Sequence, residues 1–436
     1  MVGLLLAYVL TLAPAPLAGV DWGEVLGLSQ AKLPEPLPTV RWRTNLRASM
    51  LEAHSVGRPV FVTFRCLPCK QCADFDKDVL EGGPQLTPLL RQFVTVRLTD
   101  AVDLDLNIFR VEGYQDLDLS WWGYFLSPGG RIYGIFGGRD EVSDETRVSE
   151  AALVNTLRRV LAHHYDPRRP SWDIDGPRPD GRAAPRKVVS LPGYRSWHDG
   201  SAEAAGASCL HCHRVAEILR QPKLDDETFD PLRDLGVWPL PENVGLVLDR
   251  DDGLLVTRVE PASPAERAGL EPGDVLGAAG NRRLFGQTDF RGVLHRRADP
   301  AGEIEIRWLR EDLVMSGTLQ LAEGWRRTVL AWRASVASGN IGSGPGFAWP
   351  VKGPDAGAGR MSIRPWFGPN PHRSVAWQAG LRPGHTIVAV DGDGPDLFGR
   401  GFLVWFRLRH EPGDSVLLTV RDGNKERTIR YRLPER

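Results

Sequence analysis

Blocks of unbroken apolar residues alternate with helix-period residues through the first third of the chain. The run Val60-Phe61-Val62-Thr63-Phe64, bounded by Arg58-Pro59, reads as a buried central strand, and a helix is predicted before it around Asn45 to Ser55. From residue 66 the period turns helical, with Phe75, Val79 and Leu80 on one stripe. A second strand follows at Phe93 to Leu98. Trp121 to Leu126, the turn Ser127-Pro128-Gly129-Gly130 and Arg131 to Phe136 read as a hairpin, and Ala151 to His163 as an amphipathic closing helix. Residues 166–187 are dense in Pro, Gly, Arg and Asp with no apolar period, which predicts a solvated linker.

The second half carries an internal repeat. Ala268-Gly269-Leu270-Glu271-Pro272-Gly273-Asp274 returns as Ala379-Gly380-Leu381-Arg382-Pro383-Gly384-His385, the mark of a duplicated domain. Each copy lies between strand patterns, Leu254 to Val259 and Val275-Leu276 in the first, Arg360 to Pro365 and Thr386 to Val390 in the second. A helix and a last apolar strand follow in both. His295 and His410, on or just after those helices, read as surface residues.

Length and charge then narrow the function. At 436 residues the chain suits about three domains. Its formal net charge of -1, with no long Lys/Arg run, excludes an electrostatic grip on nucleic acid. Met1 to Val20 carries no charge and contains an apolar run of signal-peptide length, so an export signal or retained N-terminal anchor over 1–20 is expected, and with it a periplasmic or other extracytoplasmic location. Membrane association through that segment follows if it is not cleaved.

All five cysteines fall in two clusters, Cys66-Leu-Pro-Cys69-Lys-Gln-Cys72 and Cys209-Leu-His-Cys212-His213. A cysteine where a buried strand meets a helix N-terminus faces unpaired backbone N–H groups, which favour thiolate, so Cys66 is the expected attacking sulfur. Cys69 lies one turn later to resolve a mixed disulfide, and Cys72 adds a third sulfur on roughly the same helical face. A copper or zinc site of three thiolates and inert buried cysteines remain alternatives. In the second cluster Cys209 and Cys212 have the spacing to form thioethers to one covalent c-type haem, with His213 as proximal iron ligand. His198, His372 and Met361 are candidates for the sixth position. Zinc held by Cys209, Cys212 and nearby histidines, a plain disulfide, or free thiols stand against haem.

The stretch with Cys66-Leu67-Pro68-Cys69-Lys70 after its first strand resembles the thioredoxin-like superfamily, which implies disulfide exchange with a protein substrate. One departure matters: the family places a cis-proline where Trp121 aligns here, so substrate docking there must differ. Both repeat copies resemble PDZ domains of the bacterial type. That resemblance implies a peptide groove between a strand and the long helix, with loop amides receiving the carboxylate of a protein C-terminus. The matching loops are Asn243-Val244-Gly245-Leu246-Val247 and Pro345-Gly346-Phe347-Ala348. PDZ folds serving as spacers or dimer contacts are the alternative. In order of modules the chain is similar to a family of bacterial thioredoxin and PDZ proteins, some of whose members carry selenocysteine near the dithiol.

The expected fold class is multidomain: an α/β thioredoxin-like domain over 38–165, the 166–187 linker, a short mainly α haem-attachment segment over 188–238, and two β-rich α+β PDZ domains over 239–322 and 330–434. The expected function is an extracytoplasmic thiol–disulfide redox protein with PDZ modules for partner binding and a haem for electron transfer or sensing. The rival is a non-enzymatic envelope adaptor whose cysteine clusters bind metal or haem. A serine protease is disfavoured because no Gly-x-Ser-x-Gly is present.

Overall fold

The computed structural model describes residues 20–65, 70–81, 83–119, 121–137, 149–177, 179, 184–200, 210–297, 301–348 and 350–435. After a short helix α1 (Trp22–Leu26), α2 (Leu46–Val56) starts where the Asn45 side chain accepts from the Ala48 N–H and stops at Gly57, whose φ of 63° suits a residue without Cβ. Then come β1 (Val60–Arg65), α3 (Lys70–Phe75) running into a π-turn over Asp76–Leu80, α4 (Leu86–Leu90), β2 (Val94–Leu98), α5 (Val111–Tyr114), β3 (Trp121–Leu126), β4 (Ile132–Gly137) and α6 (Glu150–His164). The sheet order is β2-β1-β3-β4, with β1 parallel to β2 and the other pairs antiparallel. Both faces of β1 are buried, which is why its sequence is an unbroken apolar run.

The two faces have different covers. Phe61, Phe93, Trp121 and Phe125 pack with α4 and α6. Val60, Val62, Phe64, Trp122 and Tyr124 face a core completed by Val188, Leu191, Trp197, Cys212, Val215 and Ile218. The last six come from the segment that includes α8 (Tyr194–Gly200) and α9 (Cys212–Asp225), so this segment is a layer of the α/β domain, not a module apart as its composition suggested. The preceding stretch also differs from expectation. In α7 (Arg169–Trp172) and after it, Trp172 and Ile174 join Val25 and Leu26 of α1 in a small apolar cluster, and Asp175 receives Arg169 and His163. Two large apolar side chains, invisible to a periodicity search, anchor part of the supposedly solvated linker.

Beyond α10 (Pro231–Asp234) lie two β-rich domains. The middle one has β5 (Leu246–Leu248) paired with β6 (Val256–Val259), the turn α11 (Pro264–Arg267), β7 (Val275–Ala279), β8 (Arg282–Arg283), α12 (Gln287–Arg296), β9 (Gly302–Arg310) and β10 (Leu313–Leu321). The C-terminal one follows α13 (Ala334–Ala337) and consists of β11 (Val351–Lys352), β12 (Ile363–Arg364), α14 (Val375–Gln378), β13 (Thr386–Val390), α15 (Gly399–Arg407), β14 (Ser415–Asp422) and β15 (Lys425–Arg432), with the sheet in the order β11 to β15. In both repeats the Ala-Gly-Leu motif follows a short serine-capped turn, and Gly269 and Gly380 have φ of 91° and 102°. The repeated glycine is therefore a backbone requirement.

Candidate functional site

The end of β1 is the centre of the first candidate site. Pairing sets Arg65 opposite Trp121 and Phe64 opposite Trp122. Cys66 and Cys69 lie outside the described residues. Cys72 is on α3, and its side chain is outside the description too. What surrounds them is described. Asp76, one turn beyond Cys72, is 3% exposed, with Arg65 Nε at 2.5 Å and Arg97 Nε at 3.2 Å from its Oδ2. Burial pushes the Asp76 carboxyl up against the opposing pull of Arg97 and Arg65. Trp121, at the position where the resemblance expects a cis-proline, is fully buried and packs on Phe75. The described residues contain no cis peptide bond.

The second cysteine cluster meets this same end of the sheet. Leu210 N donates to Asp100 just past β2, Ala101 N donates back to Leu210, and Trp122 Nε1 donates to Cys212 Sγ at 3.2 Å. Trp122 in turn stacks on Phe64 with ring centroids 4.7 Å apart. Cys209 lies outside the described residues. His213 is half-buried, its ring 5.5 Å from His211 and nearly parallel to it. The sixth-ligand candidates are scattered: His198 is partly exposed on α8, His372 packs edge-on against Trp377, and Met361 is buried in the core of the C-terminal domain.

Cys212 is 4% exposed in a core shared with Phe64, Trp122 and Val215. No group of three or more His, Cys, Asp or Glu side chains able to hold a metal is present among the described residues, and the three-thiolate expectation falls on side chains outside them.

The loops matched to carboxylate capture are both described. Val244 and Leu246 are fully buried, Gly245 has φ of 85° with N–H given to Glu242 O, and Val247 is half-buried on β5. In the second loop Gly346, with φ of 76°, and Phe347 line a cavity of about 830 Å3. That cavity is closed on its far side by α8 and α9, a neighbour no sequence pattern announced. Two histidines read as surface residues are enclosed. His295 stacks on Trp238 at 4.8 Å and accepts its N–H, and burial lowers its pKa to about 3. His410 is 6% exposed between Phe406 O and Asp391. For His295 the distant Trp238 supplies the cover, and for His410 the ring of Phe406, one turn earlier, together with the distant Asp391.

Comparison with known proteins matches two parts of the chain. Residues 41–116 match the thioredoxin-like family and residues 255–307 the PDZ domain family. The protein thus contains a thioredoxin-like α/β domain and β-rich PDZ-like structure. Neither match reaches Cys209 to His213 or the C-terminal domain. None of the curated proteins compared matches the chain. A solved structure, the HtrA-type protease AlgWS227A with decapeptide, aligns at 26% identity over 16% of this chain and 21% of its own, with a TM-score of 0.15. No described helix is long and apolar enough to cross a membrane, and the apolar run expected to serve as an export signal or anchor lies among residues 1–19, outside the description.

Proposed function

We propose that this chain is an extracytoplasmic thiol–disulfide redox protein whose PDZ modules recruit the proteins it acts on. The observation that carries the reading is the sheet order β2-β1-β3-β4 with a Cys-x-x-Cys leaving the end of its buried central strand toward α3. In the reductive direction the Cys66 thiolate attacks one sulfur of a partner disulfide, forming a mixed disulfide and expelling the other sulfur as thiolate. Cys69 thiolate then attacks Cys66 Sγ, leaving a Cys66–Cys69 disulfide and a partner dithiol that takes up two protons. A second dithiol protein must reset the pair. Cys72 is close enough in sequence to compete as a resolving sulfur.

For the Cys209–His213 segment the surroundings of Cys212 favour a thiol or disulfide over a haem thioether. Protein matured with a c-type cytochrome system is expected to show no covalent haem in a pyridine haemochrome spectrum. The central test uses the full chain: disulfide reduction is expected to be lost in Cys66→Ser while the fold is retained. Wild type that reduces no protein or peptide disulfide, although its own cysteines can be reduced, would instead indicate the adaptor.

A further inference from the structure

The second cysteine cluster is tied to the strands that carry the first. β1 and β2 run parallel, and Leu98, the last residue of β2, pairs with Phe64. Cys66 follows Phe64 by two residues. Asp100 and Ala101, just past Leu98, hold Leu210: Leu210 N donates to Asp100 Oδ1 at 3.2 Å, and Ala101 N donates to Leu210 O at 3.3 Å. Cys209 directly precedes Leu210. Adjacent Cα atoms are about 3.8 Å apart and neighbouring strands about 4.8 Å, so the chain carrying each cysteine is pinned at the same end of two adjacent strands.

The start of α9 brings a further sulfur to the strand on the other side of β1. Trp122 of β3 pairs with Phe64 and stacks on its ring, and Trp122 Nε1 donates to Cys212 Sγ at 3.2 Å. An indole N–H can only donate, so this sulfur is the acceptor. Donation to sulfur favours thiolate, against the apolar cover of Phe64, Trp122 and Val215 that disfavours it. At 4% exposed, Cys212 offers no surface on which a partner protein docks a disulfide. A sulfur of its own chain needs no such surface.

We propose that Cys209 and Cys212 are a second dithiol that exchanges with Cys66 and Cys69 inside the chain, an internal store of one more electron pair loaded and drained through Cys66. This rests on the thiol–disulfide reading above and names what resets the Cys66–Cys69 pair between substrates. Once a substrate has left the Cys66–Cys69 disulfide, the Cys209 thiolate attacks Cys66 Sγ. The Cys66–Cys209 bond forms, the Cys66–Cys69 bond breaks, and Cys69 leaves as thiolate. The Cys212 thiolate then attacks Cys209 Sγ, forming the Cys209–Cys212 disulfide and expelling Cys66 as thiolate. Two electrons pass from the second pair to the first, and the protons given up by Cys209 and Cys212 are taken up by Cys69 and Cys66. The buried position of Cys212 assigns it the resolving role and leaves the attack to Cys209. An external protein dithiol acting on Cys66–Cys69 reloads both pairs, the second by the same steps in reverse.

The test counts electron pairs. Full-length protein is fully reduced, freed of reductant and mixed with an excess of a decapeptide closed by one disulfide, and the peptide thiols released are measured. Wild type is expected to open about two peptides per chain, the second at a rate independent of protein concentration, and Cys209→Ser about one, a twofold loss. Cys209→Ser keeps the buried Cys212 and the core around it. Cys66→Ser/Cys72→Ser is expected to open none, because the second pair drains only through Cys66. About one peptide per wild-type chain, a second opening that speeds up with protein concentration, or one peptide still opened by Cys66→Ser/Cys72→Ser overturns the internal store and leaves the Cys66–Cys69 reading standing. No peptide opened by wild type overturns that reading, and the store with it.

Discussion

His163 shows how much a single residue can store. It is 1% exposed, with Nε2 at 2.7 Å from Asp175 Oδ1, Nδ1 near Arg283, and its ring among Tyr133, Trp172 and Phe285. Burial lowers its pKa from 6.5 to about 4, against the raising effect of Asp175. The sign follows from where protons bind. Below pH 6.5 the unfolded chain takes up a proton that the folded chain refuses until about pH 4, so His163 withdraws stability as pH falls through that window. Between pH 7 and pH 5 the loss attributable to this residue is about 2 kcal/mol. His163→Gln is therefore expected to be less stable than wild type at pH 7, with a gap that narrows by about that amount at pH 5 in urea titrations. A gap independent of pH would show that His163 acts through packing alone. Nothing in Leu161-Ala162-His163-His164 signals this, because Trp172 and Phe285 reach the ring from other parts of the chain.

At the scale of elements, the strands and helices whose burial is decided locally were legible. Val60 to Phe64 has no polar residue but Thr63, whose hydroxyl donates to Val96 O, so its pattern had one reading. The repeat glycines were equally plain. What stayed hidden were elements completed by distant partners. The segment around Cys212 reads in sequence as a haem-attachment segment set off by the linker before it. Its apolar residues Trp197, Val215 and Ile218 make sense only against the sheet face of Phe64 and Trp122. Close packing also gives β3 a point of failure. A Cβ on Gly123 would lie 2.8 Å from the Phe61 ring, in a strand buried on both faces. Gly123→Ala is expected to lower stability by roughly 1–3 kcal/mol, with β1 and β3 amides losing hydrogen-exchange protection first. Unchanged stability would mean the Phe61–Phe125 stack can shift at no cost.

The whole molecule is tied together by charge buried at the place where its parts meet. Asp116 and Asp118 belong to the α/β domain, Arg291 to α12 of the middle domain, and Arg333 to the segment leading into the C-terminal domain. Arg333 grips Asp116 with two bonds of 2.7 and 3.1 Å and reaches Asp118 at 3.2 Å. Arg291 reaches Asp116 at 3.3 Å, and Asp118 accepts from Ser335 N. Asp116, Arg291 and Arg333 are each almost fully buried. Burial alone would push the Asp116 carboxyl up, and Arg333 with Arg291 outweighs it, holding the group below its ordinary value. Replacing such a cluster with apolar residues need not destabilise a protein, but removing one partner leaves charge stranded. Asp116→Ala removes the carboxylate that both guanidinium groups share, leaving Arg333 with Asp118 and Arg291 with the Trp238 carbonyl, and is expected to cost about 3–5 kcal/mol. Because the cluster joins three domains, the cost should fall on their docking. Calorimetry of wild type is expected to give one cooperative transition, and Asp116→Ala to split it, the β-rich domains releasing from the α/β domain before either melts. That release would expose the outer side of α12 and open the wall that α9 lends to the 830 Å3 cavity. A single transition in the variant would show that apolar contact alone holds the domains in place and that the charges only fix their register.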